Sequence, residues 1–193
     1  MKKDRKIIVS IATSADGYIA RKDGGVEWLD RPRPRGNYGM GAFIESIDTI
    51  LWGRKTYDIA RKMGAADGGL GPKIRNYVFS RRLRKARVPN VSFVAEPIWK
   101  FAGRLREEPG KDIWMMGGGG VIASFLDADE IDEFVIHVVP IFIGAGIPLI
   151  APRHRSIRLR LLSVRSFPDG IVRLHYAVPR RAVPRRRTNR RSS

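Results

Sequence analysis

The sequence predicts an α/β fold on a mixed, mostly parallel sheet that closes with an antiparallel pair. Three observations lead there. Short β-branched runs alternate with stretches of helical periodicity over most of the chain. After Pro152 the alternation gives way to two strand-like runs in succession. Between those runs lies Phe167-Pro168-Asp169-Gly170, a hairpin-type turn in which Gly170 supplies positive φ.

Taken in order, residues 6–13 (Lys-Ile-Ile-Val-Ser-Ile-Ala-Thr) form the first expected strand. Met40, Phe43, Ile44 and Ile47 follow at i, i+3, i+4 and i+7, the spacing of one buried helix face. Strands are expected at 48–52, 75–79 and 91–94, and a second helical stripe at Ile98, Phe101, Ala102 and Leu105. A strand at 112–116 runs into four glycines and then into Val121, Ile122, Phe125 and Leu126, paired i, i+4 in two adjacent rows. A strand at 133–139 and the hairpin strands at 157–166 and 171–178 complete the set. The organisation expected is one domain, residues 1–178, followed by a tail at 179–193. That tail is Pro, Ser, Thr, Asn and Arg with almost nothing to bury, so disorder is expected there.

Composition removes several classes of function. There is no cysteine, which excludes disulfides, thiolate nucleophiles and Cys-ligated metal centres and suits a reducing cytoplasm. The histidines, His137, His154 and His175, stand at no metal-ligand spacing, so no metal is expected. The basic start followed by residues 7–15 faintly imitates a signal peptide, but Ser10, Thr13 and Ser14 interrupt its apolar stretch. Residues 134–152 carry no formal charge, yet Pro140, Gly144, Gly146, Pro148 and Pro152 would break a lipid-exposed helix. A buried strand and a tight loop in a soluble protein are expected instead.

The formal charge is +18, and removing the seven arginines of the tail (180, 181, 185, 186, 187, 190 and 191) leaves +11 on the remainder. An arginine-rich tail can bind nucleic-acid phosphates by counterion release, although charge runs are usually solvated. Within the folded part, three strand ends carry phosphate-binding ingredients. At Met116-Gly117-Gly118-Gly119-Gly120-Val121 a strand passes through glycines into a helix, where backbone N–H groups meet the positive end of the dipole. Gly118-x-Gly120-x-x-Ala123 fits the dinucleotide pattern, but the acidic residue about 20 positions on is absent, and a tight turn without ligand fits the fragment too. Trp52-Gly53-Arg54-Lys55-Thr56 adds a glycine turn, two cations and a hydroxyl, without the order of a Walker A loop. Phe79-Ser80-Arg81-Arg82 is the third. Open α/β sheets bind ligands outside the carboxyl ends of their strands.

Ser14-x-Asp16-Gly17-Tyr18-Ile19-Ala20, Gly53-Arg54-Lys55-Thr56-Tyr57, Phe79-Ser80, Gly117-Gly118-Gly119 and Pro140-x4-Gly144-x-Gly146-x-Pro148-Leu149 occur in one order. Together they resemble the dihydrofolate reductase superfamily, and more closely the C-terminal reductase domain of the bifunctional riboflavin biosynthesis protein. The resemblance covers about residues 6–178. It implies a three-layer dihydrofolate-reductase-like fold, NADPH as hydride donor and a homodimer, for which the apolar 134–152 region is a candidate contact. It implies Ala12 and Ile19 around the nicotinamide, Met116 as a further cofactor contact, Gly53, Arg54, Lys55 and Thr56 at the pyrophosphate and 2′-phosphate, Ser80 and Arg81 completing the latter, and Gly117 to Val121 (Gly117, Gly118, Gly119, Gly120, Val121) on the other side of the pyrophosphate.

The sequence departs from relatives at Gly120, where an arginine often stands, and on the first helix, where no Asp or Glu occupies the place of the pterin-binding carboxylate. Glu45 lies about two turns further on. Substrate contacts implied are Trp28, Thr13 and Phe43. The nearest candidate acids are Asp16, which is equally a turn residue, and Glu27; Trp28 is equally a core anchor. The activity implied is reduction of a phosphoribosylamino-pyrimidine or another small heterocycle, with dihydrofolate reduction and nucleic-acid binding by the tail as alternatives.

Overall fold

The computed structural model describes residues 5–31, 37–64, 73–81 and 88–180. Its ten strands and four α-helices are β1 (Ile7–Ser14), β2 (Tyr18–Ala20), α1 (Met40–Glu45), β3 (Ile47–Gly53), α2 (Arg54–Lys62), β4 (Arg75–Phe79), β5 (Val91–Val94), α3 (Ile98–Glu107), β6 (Asp112–Gly117), α4 (Gly119–Asp127), β7 (Glu133–Val139), β8 (Ile147–Pro148), β9 (Arg160–Ser166) and β10 (Val172–Ala177). Eight strands form one sheet in the order β5-β4-β3-β6-β1-β7-β10-β9, and β2 pairs with β8 in a separate two-stranded ribbon. All pairs from β5 to β7 are parallel, while β10 runs antiparallel to both β7 and β9. The mixed, mostly parallel sheet with its antiparallel end is the one expected.

Period-two alternation divides the sheet residues between two faces. One face is covered by α3 and α4: Phe101, Leu105, Ile122 and Phe125 pack on Ile7, Val9, Leu51, Ile113, Met115 and Phe134. The other carries α1 and α2, with Tyr57, Met40, Phe43 and Ile44 against Ile50, Trp52 and Trp114. The result is three layers, each helix meeting the sheet through the apolar stripe that its sequence shows. Trp52 is held in this layer by its Nε1, which donates to Asn76 Oδ1 at 2.9 Å.

Two expectations need correction. Ile47 does not extend the first helix face. Ser46 ends α1, its N–H bonded to Ala42 O at 3.1 Å and its hydroxyl to Phe43 O at 2.7 Å, and Ile47 opens β3. A β-branched residue at a helix–strand boundary satisfies both periodicities. The run 157–166 is a regular strand only from Arg160, because Ile157 packs on the α3–α4 side of the core before the strand begins. In the 134–152 region β7 is an interior strand, between β1 and β10, and Phe142 beyond it is 79% exposed. Of the expected tail, Pro179 and Arg180 are described, with Arg180 Nη2 3.3 Å from Asp132 Oδ1, and 181–193 lies outside the described residues, as does Arg82. No helix among the described residues is long and apolar enough to cross a membrane.

Candidate functional site

A cavity of about 530 Å³ opens beside the carboxyl-terminal halves of β1, β6 and β7. These strands put Ser10, Ala12, Trp114, Met116, His137 and Val139 on its floor. Ala12 faces His137 across the β1–β7 register. Ile19 and Ala20 of β2, Ile147 of β8 and Thr56 and Ile59 of α2 wall one side, while Tyr38, Met40 and Ile44 wall the other. The short ribbon β2–β8 therefore builds the site; its strands, three and two residues long, carry too little periodicity to be read in advance.

At the end of this cavity two helix N-termini converge. The chain leaves β6 through Gly117 (φ +107°) and a cis Gly117–Gly118 peptide, then enters α4 at Gly119. Beside it β3 passes through Gly53 into α2. A Cβ on Gly53 would lie 3.3 Å from Gly118 N and Gly117 O, and one on Gly118 would lie 2.9 Å from Thr56 Oγ1. Such spacing means that the two first turns touch through bare backbone. Each α-helix leaves its first N–H groups without intrahelical partners at the positive end of its dipole, so backbone donors and two positive dipole ends come together at this junction. Gly120 faces outward, and a Cβ there would meet nothing within 4 Å.

Cations flank the junction. Arg54 donates from Nε to Asp58 Oδ2 at 2.7 Å, and its guanidinium lies 5.3 Å from the centre of the Phe93 ring. That bond and the ring hold the side chain beside the junction. Gly53 pairs with Phe79 across the β3–β4 register, which brings Ser80 and Arg81 to the same sheet end as Arg54 and Lys55. Lys55 and Arg81 are exposed there. The chemistry of this donor set, two helix ends, bare glycine backbone and a group of cations, fits a pyrophosphate with a further phosphate, and the apolar cavity beside it fits a ring.

Of the expected site residues, the structure gathers Ala12, Ile19, Thr56, Met116 and Gly118 into the cavity wall. Gly53, Arg54, Gly117, Gly119, Gly120 and Val121 meet at the junction, where Val121 Cγ1 would lie 3.2 Å from a Cβ on Gly53. The expected substrate residues fare differently. Thr13 is buried but alternates away from Ala12 and does not line the cavity. Phe43 stacks edge-on against Trp114, with ring centroids 5.3 Å apart, behind the wall formed by Met40 and Ile44. Trp28 is 7% exposed and packs with Val139 and Ile171, the anchoring alternative; its neighbours Val26 and Leu29 line the cavity in its place.

Neither candidate acid lines the cavity. Asp16 is exposed and caps the loop before β8, accepting N–H bonds from Gly144 at 2.7 Å and Ile143 at 3.3 Å. The Ser14 hydroxyl, assisted by those N–H groups, holds its carboxyl below the ordinary carboxylate range. Glu27 is exposed and paired with Arg21, which likewise lowers it. Carboxylates committed as ionised caps and ion-pair partners, and placed outside the cavity, are poor proton donors to a ligand in it.

Sequence reasoning missed Tyr38, Trp114 and His137 as cavity residues. Tyr38 holds φ +59°, unusual for a bulky residue, with its hydroxyl donating to Asp169 Oδ2 at 2.6 Å. Trp114 donates from Nε1 to Ser10 O at 2.9 Å, locking its indole across the floor. His137 is 8% exposed and stands edge-on to Tyr38, ring centroids 6.0 Å apart. A signal for it existed: it is the one ionisable residue within the apolar stretch 134–139.

The model of the RibD C-terminal domain family matches residues 5–173. The uncharacterized protein YwjB of Bacillus subtilis (strain 168) is 35% identical over 173 residues, which is 90% of this chain and 98% of that protein. Among solved structures, a protein named for riboflavin biosynthesis from Shewanella sp. PV-4 superposes with a TM-score of 0.80 at 29% identity, covering 91% of this chain and 99% of the other. A diaminohydroxyphosphoribosylaminopyrimidine deaminase/5-amino-6-(5-phosphoribosylamino)uracil reductase from Thermotoga maritima gives a TM-score of 0.67 at 16% identity, a likeness of fold, with 92% of this chain matched to 58% of that one.

Proposed function

This chain belongs to the RibD C-terminal domain family, and we propose that it is an NADPH-dependent reductase that transfers hydride to a small heterocyclic or phosphoribosyl substrate. The observation that carries this reading is the convergence of two helix N-termini on bare glycine backbone at the mouth of an apolar cavity. Bound there, NADPH would supply the hydride from its nicotinamide ring. Gly117 to Val121 and Gly53 would hold the pyrophosphate through N–H groups. Arg54, Lys55, Ser80 and Arg81 would hold the 2′-phosphate, which is the basis for preferring NADPH to NADH. Ala12, Ile19 and Met116 would flank the nicotinamide.

The remaining work of the protein is placement and exclusion of water, to which the apolar walls of Ile19, Ile59, Ile147 and Val139 contribute. The accompanying proton comes from solvent or substrate rather than from Asp16 or Glu27. Dihydrofolate is not favoured, because no Asp or Glu lines the cavity among the described residues. The protein is placed in the cytoplasm, where NADPH is available and a cysteine-free chain needs no oxidation. A homodimer is part of the same reading.

The test is oxidation of NADPH, followed by loss of reduced-nicotinamide absorbance, on addition of 5-amino-6-(5-phosphoribosylamino)uracil or dihydrofolate. Turnover with the former and not the latter is expected. No oxidation with the former overturns the substrate, and failure to bind NADPH overturns the reductase.

A further inference from the structure

Among the described residues the buried and half-buried arginines divide into two sets. Arg5, Arg21, Arg54, Arg75, Arg106 and Arg155 each form an ion pair with a carboxylate. Arg31 and Arg173 are half-buried too, and among the described residues no carboxylate pairs with either. A charge drawn out of water is costly unless a counterion accompanies it, so the two exceptions ask for one. Both stand at the same place. Arg31 Nη2 donates to Asp169 O at 2.9 Å, Asp169 Oδ2 accepts from the Tyr38 hydroxyl at 2.6 Å, and Arg173 Nη1 would be 3.5 Å from a Cβ on the next residue, Gly39.

Arg31 lines the cavity, the one Lys or Arg among its described lining residues, which include no Asp or Glu. Its bond to Asp169 O sets the guanidinium near Ile171, another lining residue, and uses a single donor. Nε and Nη1 make no hydrogen bond, and they are not sealed: the buried side-chain atoms without a partner are Trp28 Nε1, His137 Nε2 and Arg173 Nε. The guanidinium therefore keeps open donors. Ala12, His137, Arg173 and Arg165 are successive partners across β1, β7, β10 and β9, which places Arg173 and Arg165 directly opposite each other on the cavity face of the sheet. Like charges so placed are destabilising, and an anion nearby relieves the repulsion. This group is separate from the glycine junction, which stands over β3 and β6. The β9–β10 hairpin that carries Asp169 and Arg173 begins three strands beyond β6, about 14 Å along the sheet.

We propose that Arg31 is a specificity-determining residue that binds an oxyanion substituent of the substrate, a phosphate or a carboxylate, with Arg173 adding positive charge from the adjacent sheet face. A planar guanidinium with open N–H groups suits either oxyanion through charge-assisted bonds. The inference rests on the reductase reading and names the class of its substrate: a small anionic molecule, its charged end at Arg31 and its reducible ring toward Ala12 and Met116. With the cofactor's phosphates at the glycine junction, Arg31 is left for the other reactant.

The experiment is calorimetric titration of the full chain, saturated with NADPH, using two pairs of probes: uridine 5′-monophosphate against uridine, and orotate against uracil. The anion of at least one pair is expected to bind on the order of tenfold more tightly than its neutral partner, and the pair that shows it distinguishes phosphate from carboxylate. Arg31→Gln, which can still donate to Asp169 O but carries no charge, should erase the preference with NADPH affinity unchanged. Arg31→Lys, which keeps the charge and loses the planar fork, should retain part of it. Equal binding within both pairs, or a preference that survives Arg31→Gln, overturns the assignment. Failure of the unaltered protein to bind NADPH overturns the reductase reading instead.

Discussion

Gly119 and Gly120 are neighbours with opposite constraints. A Cβ on Gly119 would lie 2.4 Å from Pro148 O, backbone of β8 that cannot swing aside, whereas a Cβ on Gly120 meets nothing within 4 Å. Gly119→Ala should therefore destabilise the protein by about 1–3 kcal/mol through overpacking, and Gly120→Ala should stabilise it by about 0.4–1 kcal/mol by restricting the unfolded chain. Denaturant titration of the two variants checks the signs; equal effects would contradict the geometry. The sequence shows both glycines as one phosphate-type run. Which of them is sterically obligatory depends on β8, some thirty residues away, and is not legible locally. The same holds for Asp16: its Asp-Gly turn is readable, but its capping of Gly144 and Ile143 is a tertiary fact.

At the scale of elements, β9 is the exception in the sheet. Every residue from Arg160 to Ser166 is exposed, with Leu161 at 53% and Val164 at 56%, on an edge strand. Exposed apolar edges invite pairing, and a second copy of this chain is the occupant that the homodimer reading supplies. Leu161→Lys combined with Val164→Lys should shift the protein from dimer to monomer in analytical ultracentrifugation; a dimer that survives both substitutions would place its interface elsewhere. The longest uncharged stretch, 134–152, divides in the fold: β7 within it is covered by sheet neighbours and helices, while Phe142 beyond it is 79% exposed. The edge strand β9 has arginines among its leucines and so looks ordinary in the sequence. Strands, by contrast, were legible wherever β-branched runs had clear ends, and β4, β5 and β7 begin and end where expected.

Across the whole molecule, charge divides into structural and functional parts. Glu133, buried between Lys6 Nζ at 2.5 Å and His175 Nε2 at 2.8 Å, joins the N-terminus to the antiparallel end of the sheet. Burial opposes its ionisation, but those two partners prevail and its carboxyl is lowered in the fold. A group depressed on folding stabilises above its unfolded pKa, and that contribution is lost as pH falls through the folded value. Glu133→Gln should thus cost about 1–3 kcal/mol at neutral pH and flatten the loss of stability on acidification. An unchanged acid profile would remove Glu133 from this role. The cations that matter for function are few by comparison. Arg54, Lys55 and Arg81 cluster at one sheet end, and the general positive surface steers anions toward them most strongly at low salt. The central claim is that this sheet end receives NADPH. Fluorescence titration of the reduced nicotinamide against the full chain tests it most directly: saturable binding at about micromolar NADPH is predicted. Both Arg54→Ala and replacement of NADPH by NADH should weaken it about tenfold, the loss of a charge-assisted phosphate bond. Absence of saturable binding, or equal affinity in all three titrations, would contradict it.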